Sequence, residues 1–468
     1  MLTLTDTRGA KTCQGYTRRD FLKVGSLGMA GAMGLPGLLK ARAASTGQSL
    51  SHKSVILLFL QGGPSHIELF DPKMTAPSEV RSITGEVSTK LPGITFGGTF
   101  PQLAKLADKF TVVRSYGSKN GAHTYQAVAS GGNPTKATMG AMYSRIAGNT
   151  NPVTSIPSNT LVLPEAVDPS LRLKGNFETS ALPTLTDPGE FGANYAAFNP
   201  IGGGELKQNM ELKIPAARFD SRRELLGQLD RLKHRADATQ AVSSMNQFQQ
   251  QAFDVITRGV ADAFDLSKED PRLVERYDTS KLFPNRHPQA FFDMHRATNL
   301  LGKQLLLARR LCEAGCGFVT VSDCGWDMHS NGNSPKHLGG MYWLGPQVDH
   351  AVAAFIEDVE QRGLSDDILL IVTGEMGRSP RINNNGGRDH YGELTPLMFY
   401  GGGLKMGQVI GSSDPGAAHP AALPYTPENL VSTVLHTLFD VAQLRLQTEL
   451  PTSLIRFAES TPPIEQLF

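Results

Sequence analysis

Apolar residues along this 468-residue chain gather in short uninterrupted runs, with little strict alternation of apolar and polar positions. Runs of five to seven apolar or β-branched residues have the length and composition of buried strands. Five such runs occur, at residues 54–60, 110–114, 317–322, 368–373 and 396–400. Continuous runs are expected where helices cover both faces of a parallel sheet.

Helical spacing of apolar residues lies between these runs. Residues 296–314 and 346–362 each show it, and each stretch stops at a glycine, Gly315 or Gly363. Glycine suits the position after a helix, where a positive φ is needed. Thr426 and Pro427 predict the N-cap and first residue of a third helix. The alternation of strands and helices predicts an α/β fold, with a mostly parallel central sheet and helices on both faces.

One segment departs from this pattern. Residues 145–215 are rich in Pro, Gly, Asn and Thr without a clear period, so we expect an extended surface excursion there. Residues 220–264 predict a pair of helices, and Ser221 and Glu224 at its start form a capping-box pattern. We therefore expect one domain over residues 45–468, with an irregular and helical insertion at about residues 145–290.

The N-terminus carries a different pattern. Arg18 and Arg19 precede Phe-Leu-Lys, then an uncharged stretch at residues 24–39, then small residues at 41–44. That order is typical of a signal peptide, and the paired arginines indicate the twin-arginine route. A short amphipathic helix or a membrane anchor is the alternative, but the uncharged stretch is shorter than the roughly 20 apolar residues that a span needs.

We therefore expect residues 1–44 to be removed and the twin-arginine translocon to be a partner during export. The mature chain is then periplasmic or secreted. No other stretch is long and apolar enough to span a bilayer.

Charge and cysteine content narrow the classes of partner. The chain has 45 basic and 44 acidic residues, and this balance favours neither nucleic acid nor an anionic membrane. Cys312, Cys316 and Cys324 follow the signal peptide, and buried thiols are favoured over a zinc site or a disulfide framework. Neither a dinucleotide-binding G-x-G-x-x-G in a βαβ context nor a G-x-S-x-G elbow is present.

Polar residues follow four of the predicted strands, at the edge where ligands bind in parallel α/β sheets. Histidines and carboxylates dominate among them and suit a divalent cation, with Zn²⁺ or Mn²⁺ favoured and Ca²⁺ as another option. The candidate ligands are His66, Asp327, His329, Glu375, Asp389 and His390. Asp327 and His329, two residues apart on an extended segment, share one face.

Each candidate also has a structural interpretation. Asp327 could cap a turn while His329 packs on Trp326, and Glu375 could complement a helix dipole. Asp389 is either a ligand or a carboxylate that orients another imidazole.

Three further residues are candidates for catalysis. Arg378 and Arg388 flank the cluster and could bind a phosphate or sulfate group, or form surface salt bridges. Thr124 is a metal-activated nucleophile or a helix cap, and the sequence does not separate these two roles.

Several phrases together resemble a known family. They are GGPSHIELFDPK, LLLARRLCEAGCGFVTV, GWDMHSN, RGLSDDILLIVTGEMGRSPR and GGRDHYG, in that order behind the twin-arginine leader. The chain resembles the bacterial family called domain of unknown function 1501, over about residues 53–436. That family is held to be similar in fold to the alkaline phosphatase and sulfatase superfamily, whose members hydrolyse phosphate or sulfate esters with bound metals.

The resemblance implies roles for particular residues. Asp327, His329, Glu375 and His390 match its metal ligands, with His66 near the end of the first strand. Thr124 stands where the superfamily has its nucleophile, and a threonine cannot become the formylglycine of sulfatases.

Two departures concern the metals. Gln61 and Ser65 replace an aspartate after the first strand, and Glu375-Met376 replaces a late Asp-His pair. A second metal is therefore in doubt.

The sequence thus predicts an exported metal-dependent hydrolase of phosphate or sulfate esters, with a small molecule or a glycan ester as substrate. The alternative is a catalytically inactive relative that binds an anionic glycan or another exported protein.

Overall fold

A computed structural model describes residues 2–3, 23–24, 50–168, 170–171, 177–200, 260–282, 299–330 and 335–468. The chain divides into two units, residues 1–50 and 51–468. In the first unit, Leu2–Thr3 pairs antiparallel with Lys23–Val24. The predicted signal peptide otherwise lies outside the described residues, as does most of the predicted helical pair at residues 220–264.

The second unit contains eleven strands among the described residues, which we number in chain order. They are β1 Ser54–Leu60, β2 Glu86–Ser88, β3 Thr95–Gly97, β4 Phe110–Val113, β5 Asn159–Val162, β6 Phe318–Asp323, β7 Ile368–Thr373, β8 Gly377–Ile382, β9 Arg388–Tyr391, β10 Met398–Gly401 and β11 Gln408–Ile410. Seven of them form the central sheet, in the order β11-β4-β10-β7-β1-β6-β5. The pairs β2–β3 and β8–β9 are separate antiparallel hairpins.

Among the described residues of this unit, three α-helices have twelve or more residues and the others have nine or fewer. They are α1 His66–Leu69, α2 Pro101–Lys105, α3 Tyr125–Ser130, α4 Met139–Ala147, α5 Pro164–Val167, α6 Phe177–Leu185, α7 Pro271–Arg276, α8 Leu301–Glu313, α9 Met341–Arg362, α10 Pro427–Leu438, α11 Val441–Leu444 and α12 Thr452–Ser460. The 3-10 turns are Ala107–Lys109, Gly189–Phe191, Ala193–Tyr195, Val260–Phe264, Leu266–Lys268, Ser280–Leu282, Leu338–Gly340 and Glu465–Leu467. Within the described ranges, no helix is long and apolar enough to cross a membrane.

The α/β fold with a mostly parallel sheet is confirmed. Six of the seven strands run in one direction, and β10 is antiparallel to both of its neighbours. The chain reaches β10 from β7 through the β8–β9 hairpin at one edge of the sheet. A parallel return would need a crossover, so β10 runs back antiparallel.

Side chains of β1 are buried on both faces of the sheet, as the uninterrupted apolar run predicts. Ile56, Leu58 and Leu60 belong to the same hydrophobic cluster as α8 and α9. On the opposite face, the ring of Phe59 lies 5.2 Å from that of Tyr125 in α3. Helices therefore cover both faces and leave the ends of the strands as the place for polar side chains.

The predicted helix ends are confirmed where the structure describes them. Gly363 follows α9 with φ +69°, and Gly315 lies just beyond α8 with φ +100°. Thr426 and Asn429 form a capping box at the start of α10. Cys312, Cys316 and Cys324 are all buried.

The segment expected to be an extended excursion contributes a sheet strand. Asn159–Val162 pairs in parallel with β6, and all four residues are buried. A four-residue strand with a proline two residues away on either side has too few positions to show a period, and only pairing with β6 reveals it.

Candidate metal centre

Polar side chains from several parts of the chain meet at the carboxyl edge of the parallel strands. Asp327 and His329 follow β6, and Glu375 follows β7. His390 lies in β9, and His123 lies in the segment between β4 and α3. The predicted convergence of strand ends thus places four of the candidate ligands, Asp327, His329, Glu375 and His390, in one cluster.

Asp327 lies at the centre of this cluster. Its Oδ1 accepts from Arg378 Nη2 at 2.5 Å, and it lies 2.8 Å from His329 Nδ1 and 3.3 Å from His390 Nε2. Its Oδ2 lies 3.6 Å from His123 Nε2. The carboxylate is 4% exposed, so its charge is balanced by these neighbours and very little by water.

Glu375 holds His123 from the other side of the imidazole. His123 Nδ1 lies 2.7 Å from Glu375 Oε1, which also accepts from the backbone N–H of Gly62 at 2.9 Å. Glu375 is completely buried. The His390 ring packs against those of His123 and His329, with centroids 4.7 and 4.6 Å apart.

The orientation of two histidines is that of metal ligands. Both have Nδ1 against an oxygen acceptor, which is Glu375 Oε1 for His123 and Gly121 O for His390 at 3.1 Å. When the ring is neutral with the hydrogen on Nδ1, Nε2 is left with a lone pair directed towards Asp327. Metal-binding histidines characteristically donate their other N–H to a carboxylate or carbonyl in this way.

The donor set fits a divalent cation. His123, Asp327 and His390 each offer one ligand atom, and these atoms all lie within 4.8 Å of one another. Two imidazoles and one carboxylate suit Zn²⁺, Mn²⁺ or Fe²⁺. The three imidazoles of the cluster remain 19–28% exposed, so a ligand can approach from solvent.

Without a cation, the cluster is an ion-pair network. Burial alone would lower the pKa of His123, but hydrogen bonds and charges of Asp327 and Glu375 outweigh burial and raise it to about 9. Burial opposes ionisation of Asp327 as well, yet His123, His390 and Arg378 hold its pKa well below the usual range. Burial lowers the pKa of His329. A cation must therefore displace a proton from His123, so the affinity of the site for a cation falls as the pH is lowered.

Arg378 is buried, and its guanidinium donates to backbone carbonyls and to Asp327. Its Nε donates to Gly63 O at 2.7 Å, Nη1 to Arg388 O at 3.2 Å, and Nη2 to Gly62 O, to Trp326 O at 3.4 Å and to Asp327. The guanidinium thus joins the loop after β1, the loop after β6 and the β8–β9 hairpin. Its geometry fits the positioning of Asp327 better than a fork open to substrate.

Arg388 lies apart from the cluster. Its Nε and Nη2 donate to Glu68 Oε1 at 3.2 and 2.8 Å, Nη2 also donates to the carbonyls of Val80 and Arg81, and Nη1 donates to that of Pro380. Both side chains of the Arg388–Glu68 pair are completely buried. This pair connects the β9 strand to α1.

Two candidate ligands also lie outside the cluster. Ser65 caps the short helix α1, so His66 turns away and its Nε2 pairs with Ala417 O at 3.0 Å. Asp389 is exposed and accepts from Asn383 Nδ2 at 2.8 Å. It alternates with His390 along β9, and neighbouring residues of a strand point to opposite faces.

His66 should make the stability of the protein depend on pH. Burial lowers its pKa from 6.5 to about 4, so below pH 6.5 the unfolded chain binds a proton that the folded chain excludes. Stability is therefore retained above pH 6.5 and lost as the pH falls towards 4. We expect His66 to cost about 2 kcal/mol of unfolding free energy between pH 7 and pH 5. Urea unfolding at both pH values should show a correspondingly smaller loss in His66→Gln, and an equal loss would contradict the assignment.

Thr124 begins α3 without a side-chain cap, and its side chain is exposed. Its Oγ1 donates to Asn120 Oδ1 at 3.2 Å. The capping interpretation of its hydroxyl is therefore not what the structure shows. The hydroxyl lies one residue from His123 and is open to solvent.

Comparison with known proteins places the chain in a family. Residues 52–448 match the model of a family described as Protein of unknown function (DUF1501). The chain belongs to the DUF1501 family. The membership expected from the sequence motifs is thus confirmed. Among curated proteins, no sequence matches this DUF1501 chain.

Solved structures show a distant likeness to the DUF1501 chain. It is similar over 82% of its length to 73% of a phosphonate monoester hydrolase from Silicibacter pomeroyi, at 13% identity and a TM-score of 0.36. A sulfatase from Pseudoalteromonas sp. matches over 85% of this chain and 69% of its own, at 11% identity and 0.34. A lipoteichoic acid synthase from Listeria monocytogenes matches over 85% and 77%, at 11% identity and 0.31. At these scores the likeness assigns no substrate or residue role to the DUF1501 chain.

Sequence reasoning missed two members of the DUF1501 site, His123 and Asn120. His123 is not among the predicted ligands, because it lies ten residues beyond the end of β4. Asn120 carries no motif at all. The sequence feature that could have indicated His123 is its position beside Thr124, between β4 and a helix. Segments that follow parallel strands lie at the edge where the other polar groups converge.

Proposed function

We propose that this chain is a metal-dependent hydrolase of phosphate or sulfate esters, in which His123, Asp327 and His390 hold one divalent cation, Zn²⁺ or Mn²⁺. The observation that carries the proposal is the pairing of Nδ1 in both histidines with an oxygen acceptor, while Nε2 faces Asp327. Glu375 orients His123, and Arg378 orients Asp327. His329, also in the cluster, contacts Asp327 Oδ1 and is not one of the three proposed ligands.

Charge favours an anionic ester as the substrate. With His123 neutral, the carboxylates of Asp327 and Glu375 and the guanidinium of Arg378 sum to one formal negative charge, and a divalent cation changes this to one positive charge. A bound cation would supply Lewis acidity at the ester. The solvent-exposed Thr124 hydroxyl is the group we propose for attack. The natural substrate would be a small molecule or a glycan ester.

We also propose that the protein works in the periplasm or outside the cell, after export by the twin-arginine translocon. Arg18-Arg19, the uncharged stretch and the small residues up to Ala44 support this route. A folded chain can receive its cation before it is exported.

Metal analysis of the natively purified protein tests the proposed function. We expect about one equivalent of Zn or Mn per chain, and loss of the metal in His123→Ala and in His390→Ala. His350→Ala is the matched control, because His350 pairs through Nε2 with Arg276 O on a distant helix. Thr124→Val should keep the metal but lose turnover of aryl phosphates or sulfates.

The outcomes separate the candidate functions. A parent protein that takes up neither Zn²⁺, Mn²⁺ nor Ca²⁺ would refute the metal centre. A protein that binds the cation but turns over no phosphate or sulfate ester would be the inactive relative that binds an anionic ligand. The intact mass of the same preparation tests export, since removal of the leader would leave a chain that begins near residue 45.

A further inference from the structure

The side-chain amide of Asn120 makes four hydrogen bonds beside the cluster. Its Oδ1 accepts from the backbone N–H of Ala122 at 3.1 Å and from Thr124 Oγ1 at 3.2 Å. Its Nδ2 donates to Thr124 O at 3.2 Å and to Glu375 O at 3.3 Å. The first three bonds close its own loop, and the fourth reaches a residue 255 positions away.

The loop closed by Asn120 is the one that carries His123. His123 lies between Ala122 and Thr124, and Ala122 N, Thr124 O and Thr124 Oγ1 all bond to the Asn120 side chain. The loop packs tightly on the segment after β9, because an added Cβ on Gly392 would lie 2.5 Å from Asn120 N. Lys119 N also donates to Gly392 O at 2.8 Å.

Two tethers therefore connect the His123 loop to Glu375. One is the direct bond between His123 Nδ1 and Glu375 Oε1, and the other runs from Asn120 to the Glu375 carbonyl. The direct bond fixes the ring only if the loop backbone is itself held at the right distance. The bond from Asn120 to the Glu375 carbonyl holds the loop backbone at that distance, and neither residue is one of the proposed cation ligands.

We propose that Asn120 is a positioning residue, which holds the His123 imidazole and the Thr124 hydroxyl against the Asp327–Glu375 cluster. Its effect on cation affinity rests on the proposed function, whereas its effect on the placement of His123 does not. The Asn120–Glu375 bond is the decisive contact, because it crosses between two loops.

Two substitutions and one control isolate this contact. Asn120→Ala removes all four bonds, and Asn120→Asp keeps the acceptor but replaces the Nδ2 donor to Glu375 O and Thr124 O with an oxygen. Asn151→Ala is the matched control: Asn151 Oδ1 accepts from Val153 N and Thr154 N, and Nδ2 donates to Gly315 O at 3.1 Å. None of these partners belongs to the cluster.

The first readout needs no metal. Diethylpyrocarbonate acylates accessible neutral imidazoles, and peptide mass spectrometry gives the rate at His123 relative to the exposed His419. We expect a rate at least several-fold higher than in the parent for both Asn120 variants, and an unchanged rate for Asn151→Ala. Circular dichroism confirms that each variant is folded, and the aspartate variant serves if the alanine variant does not fold.

The second readout is the binding of Co²⁺ alone, followed by its visible spectrum and by chelator competition. We expect both Asn120 variants to bind Co²⁺ about 10- to 100-fold more weakly than the parent, with an altered spectrum. Unchanged acylation of His123 in Asn120→Asp would overturn the cross-loop tether, as would an equal increase in Asn151→Ala. A parent that binds no Co²⁺ would count against the proposed function, while acylation of His123 would still decide the role of Asn120.

Discussion

Replacing Asp327 with asparagine should weaken Zn²⁺ binding by more than about 100-fold, since loss of a group that merely orients a ligand already costs 10- to 100-fold. Asp327 is the carboxylate that all three imidazoles approach, and asparagine keeps its shape without its charge. The change also leaves the buried Arg378 unpaired, so the unfolding free energy should fall by about 3 kcal/mol. Chelator competition and urea unfolding measure the two effects.

Asp358→Asn separates the loss of the ligand from the loss of a buried charge. Asp358 is as buried as Asp327, and it accepts from Arg309 Nε at 3.0 Å, from Arg362 Nε at 2.8 Å and from the Tyr277 hydroxyl at 2.9 Å. This variant should lose stability to a similar extent and keep the Zn²⁺ affinity of the parent. Parental affinity in Asp327→Asn would remove Asp327 from the ligand set.

The central strands were predictable because burial on both faces leaves an uninterrupted apolar run. All five predicted runs are strands of the central sheet. The direction of β10 was not predictable from its own residues, since an apolar run looks the same in either direction. It follows from the hairpin of β8 and β9, whose pairing depends on contacts far apart in the sequence.

The candidate site was predictable where a side chain follows a strand directly. Asp327 lies four residues after β6, and Glu375 lies two residues after β7. The same reasoning gave His66, but the helix that begins there turns its ring towards Ala417. His123 depends on the path of a ten-residue loop, and that path is fixed by Asn120, Gly392 and Glu375, which no local pattern connects.

The two buried arginines show a second limit of sequence reasoning. Arg378 lies in β8 and Arg388 in β9, close to the predicted site, where an arginine suits phosphate recognition. Sequence spacing cannot show that their donors are already taken by backbone carbonyls. Both guanidinium groups are buried and donate to backbone carbonyls and to one carboxylate. That carboxylate is Asp327 for Arg378 and Glu68 for Arg388, so Arg388 can serve as a control for Arg378.

Arg378→Lys should weaken Zn²⁺ binding by about 10- to 100-fold, because lysine keeps the charge but cannot hold Asp327 and four carbonyls at once. The carbonyls of Gly62, Gly63 and Arg388 lose a donor, and the unfolding free energy should fall by at least about 2 kcal/mol. Chelator competition gives the affinity, and steady-state kinetics on an aryl phosphate or sulfate gives KM and kcat at saturating Zn²⁺.

Arg388→Lys is the matched control for this prediction. Arg388 is equally buried and donates to one carboxylate and three carbonyls, but its carboxylate is Glu68, outside the cluster. It should lose stability to a similar extent and keep its Zn²⁺ affinity. If Arg378 instead binds the substrate, Arg378→Lys will raise KM while Zn²⁺ affinity stays at the parental value. A fall in affinity confined to Arg378→Lys would show that its guanidinium acts through Asp327.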